Sequence, residues 1–237
     1  MNISVKKILI IVPIVLLIIA AGVFWTPYLY EQYIVYKTEQ TYNILKDSYV
    51  STLKTANYKW EDGKMDTAIF ANEFVKNLPV KRICEFKGRE CFPACINSKS
   101  GISFCQFTGF IDEKLYRVEL KNNVGIAIQI LSPECSNISK ICGSVYIDAN
   151  GKNIGPNLLG RDIFDVSIFK NKIEVPTMKG NMFPNCIYGN GNGCTEYLLE
   201  YKNRRYEEYI DYAKEHPEEN INTTRYDLQN TIISADK

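Results

Sequence analysis

Residues Ile8 to Trp25 (ILIIVPIVLLIIAAGVFW) are 18 consecutive positions without a charge. At the helical rise this run reaches about 27 Å, close to the hydrocarbon thickness of a bilayer, and it predicts one transmembrane helix. Lys6 and Lys7 precede it, while Glu31, Lys37, Glu39, Lys46 and Asp47 follow it. The positive-inside rule then keeps the short N-terminus cytoplasmic. The expected localisation is a single pass through the inner membrane, with everything after Trp25 periplasmic or extracellular. The alternative is a cleaved signal peptide, for which Ala20-Ala21-Gly22 offers a small-x-small site, although such apolar cores usually run 7–15 residues.

The charges nearly cancel, 28 Lys and Arg against 27 Asp and Glu, so no basic field is available to hold nucleic acid phosphates and no nucleic acid partner is expected. The single histidine, His216, lies between Glu215 and Pro217. Its isolation removes most triads, most zinc enzymes and most His-based acid/base schemes. No G-x-S-x-G, Walker loop, dinucleotide fingerprint or H-E-x-x-H occurs, and the expectation is a protein that is not an enzyme.

All eight cysteines, Cys84, Cys91, Cys95, Cys105, Cys135, Cys142, Cys186 and Cys194, follow the apolar run. An even count on the oxidising side of a membrane predicts disulfides. A structural metal is the alternative, but it needs tight pairs such as C-x-x-C, and the closest approach here is Cys91-x-x-x-Cys95. Short-range pairing suggests Cys135–Cys142 and Cys186–Cys194, with two bridges inside the 84–105 cluster.

Beyond Trp25 the helix changes character. Tyr30, Ile34, Tyr42, Leu45, Tyr49, Leu53 and Ala56 recur at helical spacing between charged residues, which predicts an amphipathic spine that docks one face on a globular body. Pro27 should bend the helix or mark its exit from the membrane. Asp66 to Leu78 predicts a second, short helix. The thirty residues after it show neither period and read as a loop held by disulfides. Alternation then gives a hairpin, Tyr116–Leu120 and Val124–Ile130, turning at Lys121-Asn122-Asn123, followed by strands at 143–148 and 163–169 and an extension at 173–175. A third helix is expected from Thr195, with Tyr197, Leu198, Tyr201, Tyr206 and Tyr209 among dense charges. The resulting division is residues 1–7 cytoplasmic, 8–25 transmembrane, 26–58 spine helix, 59–216 globular head and 217–237 polar tail.

This is an α+β arrangement: a long N-terminal helix, half transmembrane and half amphipathic, packed on a small antiparallel sheet with disulfide-rich loops and a C-terminal helix. Three stretches carry a resemblance to a family. The first is Leu16 to Leu53, with Trp25-Thr26-Pro27-Tyr28, Glu31-Gln32-Tyr33 and Thr41-Tyr42-Asn43-Ile44-Leu45. The second is Phe70 to Pro93, leading to Cys84 and then Cys91-Phe92-Pro93. The third joins Tyr146-Ile147-Asp148-Ala149-Asn150-Gly151, Gly155-Pro156-Asn157 and Gly160-Arg161-Asp162-Ile163-Phe164. Together they cover about half the chain, and they resemble the type IV pilin-like proteins, which include the pseudopilins of type II secretion. The resemblance implies a structural subunit whose apolar helix packs with those of other pilin-like subunits in a pilus or secretion filament. The prepilin signature is degenerate: Ile10 stands where such pilins place a glutamate, 17 residues ahead of the proline matched to Pro27, and Val5 stands where the peptidase cuts after a glycine. Neither role carries over. The alternative is a permanently anchored extracytoplasmic binding module with a pilin-like head that does not assemble.

Asp148, Asn150, Asn157 and Asp162 gather oxygen ligands on a loop between strands, the chemistry a hard cation such as calcium requires. It is not an EF-hand, because glycine comes at the fourth position and Leu159 stands at the twelfth. The plain alternative is an Asn-Gly turn whose Asp and Asn side chains cap the backbone. Some pseudopilins resemble this arrangement in carrying a calcium in a loop beside the sheet. No other cofactor is expected.

Overall fold

The computed structural model describes residues 5–55, 66–86, 88–97, 114–136, 140–151, 154–175, 186, 191 and 193–206, with the backbone alone for residues 5–25 and 55. A single helix, α1 (Val5–Thr55), runs unbroken through Pro27. Pro27 therefore does not end the helix. At 1.5 Å per residue the 51 residues extend about 75 Å. Among the described residues no helix is long and apolar enough to cross a membrane; the side chains of the expected span, 8–25, lie outside them.

The face that α1 turns to the head is broader and more polar than the apolar spacing predicts. Ile34, Val35, Leu45 and Tyr49 are buried on it, and so are Thr38, Thr41, Ser48 and Thr52. Two of these hydroxyls are satisfied within the helix, Thr38 donating to the Ile34 carbonyl at 2.8 Å and Thr52 to that of Ser48 at 2.7 Å, while Ser48 reaches the Asn77 carbonyl at 2.8 Å. Buried hydroxyls that bond the preceding turn cost little and keep the helix slim where it meets its neighbours. Ala56, assigned to the same face, lies outside the described residues.

The second helix, α2 (Thr67–Phe74), begins where Asp66 caps it, its carboxylate accepting the Ile69 N–H at 2.8 Å. A 3-10 turn (Val75–Asn77) then leads to Pro79. Phe70 and Phe74 of α2 meet Tyr49 of α1, with ring centroids 5.3–6.1 Å apart. The Tyr49 hydroxyl donates to the Phe169 carbonyl at 2.6 Å, so one aromatic cluster joins both helices to the sheet.

Among the described residues the sheet is a six-stranded antiparallel meander in sequence order: β1 (Val80–Glu85), β2 (Tyr116–Leu120), β3 (Gly125–Ile130), β4 (Gly143–Asp148), β5 (Ile163–Ile168) and β6 (Ile173–Glu174). The expected hairpin and the strands after it are found. Val118, Ile126, Ile128, Val145, Ile147, Phe164 and Val166 join the α1–α2 cluster in the main core. A smaller cluster of Phe92, Ile96, Leu115, Ala127, Leu159 and Ile163 holds the segment 88–97.

Two expectations need correction. β1 falls within the segment read as a disulfide-held loop; it is an edge strand with most of its residues exposed and two register shifts against β2, so no alternation marks it in sequence. The third helix, α3 (Cys194–Tyr201), is shorter than expected, because Lys202 turns into the left-handed region and its N–H closes on the Leu198 carbonyl. Tyr206 lies beyond that stop, buried, with its hydroxyl donating to Gly160 at 2.6 Å. Tyr209, His216 and the tail 217–237 lie outside the described residues.

Three bridges lie wholly among the described residues: Cys84–Cys91, Cys135–Cys142 and Cys186–Cys194. Cys95 is also disulfide-bonded, and Cys105 lies outside the described residues. Thiol counting on the denatured, unreduced protein should find no free cysteine; two or more free thiols, or stoichiometric zinc, would contradict the oxidised framework.

Candidate functional site

The loop from β4 to β5 brings together the four residues singled out from sequence. β4 ends at Asp148 and β5 begins at Ile163, and these two residues are paired, so the loop leaves and returns at adjacent points of one ladder. Ala149 N–H bonds the Asp162 carbonyl at 2.9 Å and closes the neck. Gly151 takes a positive φ of 85° that favours glycine, and its N–H reaches Asp148 Oδ1 at 3.1 Å. Gly160 has φ 81°, and a Cβ there would come within 2.6 Å of Cys194 Sγ. The far side is pinned by the 88–97 segment, with Asn97 N–H on the Asn157 carbonyl at 3.0 Å and Leu159 N–H on the Asn97 carbonyl at 2.9 Å.

Within this frame Asp162 organises the backbone. Its Oδ2 accepts the Asn157 N–H at 2.8 Å and the Asn150 Nδ2–H at 3.2 Å, and its Oδ1 accepts the Leu158 N–H at 2.6 Å. The other three residues leave oxygens over. Asp148 Oδ2, Asn150 Oδ1 and Asn157 Oδ1 are buried without a hydrogen-bond partner among the described residues. Three orphaned acceptors in one loop are costly, since a buried polar group without a partner loses about 1–3 kcal/mol.

The two carboxyls are buried as well. Asp148 and Asp162 are fully buried, and burial, followed by repulsion from Asp162, pushes the Asp148 carboxyl up to about 8. Burial also raises Asp162, opposed by the N–H groups of Leu158 and Asn157 and by the Asn150 amide. No group of three or more His, Cys, Asp or Glu suited to a metal occurs among the described residues; the donor set here is mixed, two carboxylates and two carboxamides. Such oxygens suit calcium, which takes carboxylates and neutral carbonyl oxygens together. Asp148, Asn150 and Asn157 would be the direct ligands, and Asp162 would chiefly hold the loop in shape.

Two features of the site were not legible as site features. Tyr30 of α1, noted only for its register, accepts the Asn150 amide N–H at 3.0 Å. Asp165, the third residue of β5, is another buried acid, pushed by burial up to about 7. A cleft of about 480 Å³ beside the loop includes Asn150, Gly151, Lys81, Arg82, Glu90 and Glu119 in its lining. Its charges are largely matched, Lys81 meeting Glu119 at 2.6 Å and Asn123 at 2.8 Å, with Arg82 3.5 Å from Glu119. No family model, curated protein or solved structure matches this chain.

Proposed function

We propose that the chain is a membrane-anchored, non-catalytic subunit of the pilin-like type, in which one helix is both anchor and spine and a calcium ion sets the β4–β5 loop. The observation that carries this reading is the continuity of α1 from Val5 to Thr55. It makes the uncharged run Ile8–Trp25 and the buried stripe Ile34–Thr52 parts of one rod. Contacts with the head from Tyr30 to Thr52 occupy about 33 Å of that rod. An uncharged stretch of 18 residues is at home in hydrocarbon or against equivalent helices. Tyr28, Leu29, Tyr33 and Tyr36 are exposed just beyond it, aromatic composition that suits a membrane interface or a neighbouring subunit.

Assembly rather than turnover is the mechanism, with the sheet head outside and the apolar helix inside a filament or bilayer. The second reading, an anchored binding module that does not assemble, is favoured by Val5 and Ile10 at the positions of the processing glycine and the glutamate. Mass spectrometry of the mature protein should find a start ahead of Ile8. A start near Gly22 would remove the anchor and sink the reading, whereas a start at Lys6 would tie the chain to prepilin processing. A photo-crosslinking residue at Leu29 in intact cells should then yield multiples of the chain if it assembles, and none if the second reading holds.

A further inference from the structure

Asn150 uses its two polar ends in different directions. Its Nδ2 lies 3.0 Å from the Tyr30 hydroxyl, 3.2 Å from Asp162 Oδ2 and 3.5 Å from the Gly155 carbonyl. Three acceptors around one end fix which end carries the nitrogen. The other end, Oδ1, is buried and has no hydrogen-bond partner among the described residues. Tyr30 stands five residues beyond Trp25, about 7.5 Å along the helix axis. The Arg204 guanidinium lies over its ring, 5.8 Å from the centroid. Arg204 also donates its backbone N–H to Glu31 at 2.8 Å and its Nη1–H to the carbonyl of Arg161 at 2.5 Å. Contacts thus run in a ring from Tyr30 through Asn150 and Asp162 to Arg161, Arg204 and Glu31.

We propose that Tyr30 is a positioning residue for the cation in this loop, and that cation binding and docking of the loop on the Tyr30 turn of α1 are one coupled equilibrium. The inference rests on the calcium reading above. The Tyr30 hydroxyl accepts from the Asn150 amide nitrogen and so fixes where Oδ1, one of the orphaned oxygens, stands. Without that hydroxyl the amide can rotate and withdraw a ligand. Conversely, a cation on Oδ1 polarises the amide and strengthens its N–H donation to Tyr30. Linkage makes the two effects equal in size, and partners that orient metal ligands are typically worth 10–100-fold in affinity. The loop therefore ties its ion to the turn of α1 where the head meets the uncharged run.

The test uses the full chain in detergent micelles, with calcium titrated against melting temperature for wild type, Tyr30→Phe and Tyr36→Phe. Tyr30→Phe keeps the ring beneath Arg204 and removes only the hydroxyl. Tyr36, whose hydroxyl accepts from Gln40 at 3.2 Å, is the control. In Tyr30→Phe the calcium concentration for half the maximal rise should increase about tenfold, with the calcium-free melting temperature little changed and Tyr36→Phe like wild type. Calcium should also slow amide exchange over residues 26–34 in wild type and not in Tyr30→Phe. A wild type that responds to calcium alongside an unchanged Tyr30→Phe overturns the inference and leaves the calcium reading standing. A Tyr30→Phe variant that melts lower without calcium yet keeps the wild-type half-point assigns Tyr30 to packing alone, which also overturns it. No calcium response in wild type removes the reading and the inference together.

Discussion

Between pH 5 and pH 8, with calcium chelated, the protein should lose about 2–3 kcal/mol of unfolding free energy through Asp165, and Asp165→Asn should remove that part of the slope. Asp165 is buried in β5 opposite Tyr146 of β4. Thr195 of α3 accepts its backbone N–H at 3.1 Å and donates to its Oδ1 at 3.4 Å. Burial dominates and pushes the carboxyl up to about 7, while its own N–H and the Thr195 hydroxyl pull less strongly the other way. Because the folded value exceeds the unfolded one, the native state holds this proton more tightly. The contribution is complete below the unfolded value near pH 4 and is lost as pH rises through about 7. The rise from the ordinary value to about 7, at about 1.36 kcal/mol for each tenfold change in proton affinity, sets a ceiling near 4 kcal/mol. Asparagine carries no charge, so the variant should match wild type near pH 4 and exceed it at pH 8. Urea denaturation at four pH values, with a chelator throughout, measures both slopes; a variant as pH-sensitive as wild type would place the titration elsewhere. Some slope should persist in both proteins, since Asp148 and Asp162 are raised in the same direction.

Phe70→Ala should cost about 3–5 kcal/mol, a large share of the 5–15 kcal/mol typical of a domain. Phe70 is fully buried between Tyr49 and Phe74, where α2 wedges between the spine and the sheet. Its removal leaves a cavity bordered by three elements that cannot all collapse into it. Ile69, one residue earlier on the same helix, is 45% exposed, and Ile69→Ala should change stability by no more than about 0.5 kcal/mol. Denaturant midpoints at unchanged slope give both values. Similar losses at the two positions would mean that α2 does not dock as described.

The strands that sequence reveals are those with one apolar face on the main core. β2, β3, β4 and β5 carry alternating Val, Ile and Phe, and their limits fall within a residue or so of expectation. β1 lacks that signal because only Val80 and Ile83 break a polar edge, and Ile83 itself is 47% exposed. The polar half of the spine contact was invisible for a related reason: Thr38, Thr41, Ser48 and Thr52 are buried with their hydroxyls hydrogen-bonded, Thr38 and Thr52 to the preceding turn, Ser48 to Asn77 and Thr41 to Asn122, which a hydrophobic period does not register. For the β4–β5 loop, residue type and order were enough to name Asp148, Asn150, Asn157 and Asp162. Their division of labour needed geometry, since only the hydrogen bonds separate the Asp162 carboxylate, committed to the backbone, from the oxygens left over on the other three. Tyr30 is 120 residues from Asn150, and no local pattern links them.

The most direct test of this account is the melting temperature of the full-length protein in detergent, chelated, in calcium and in magnesium, for wild type, Asp148→Asn and Asn150→Ala. Calcium should raise the wild-type melting temperature well above the magnesium value, corresponding to about 2.7 kcal/mol at a hundredfold excess over the dissociation constant. With two carboxylates that constant should lie at about 10⁻⁴–10⁻³ M. Both variants should lose the gain, and Asp148→Asn should melt no lower than wild type without calcium, because it keeps the shape and removes a buried acid that Asp162 repels. If calcium shifts the wild type no more than magnesium does, the orphaned oxygens hold no cation and the loop is only a turn.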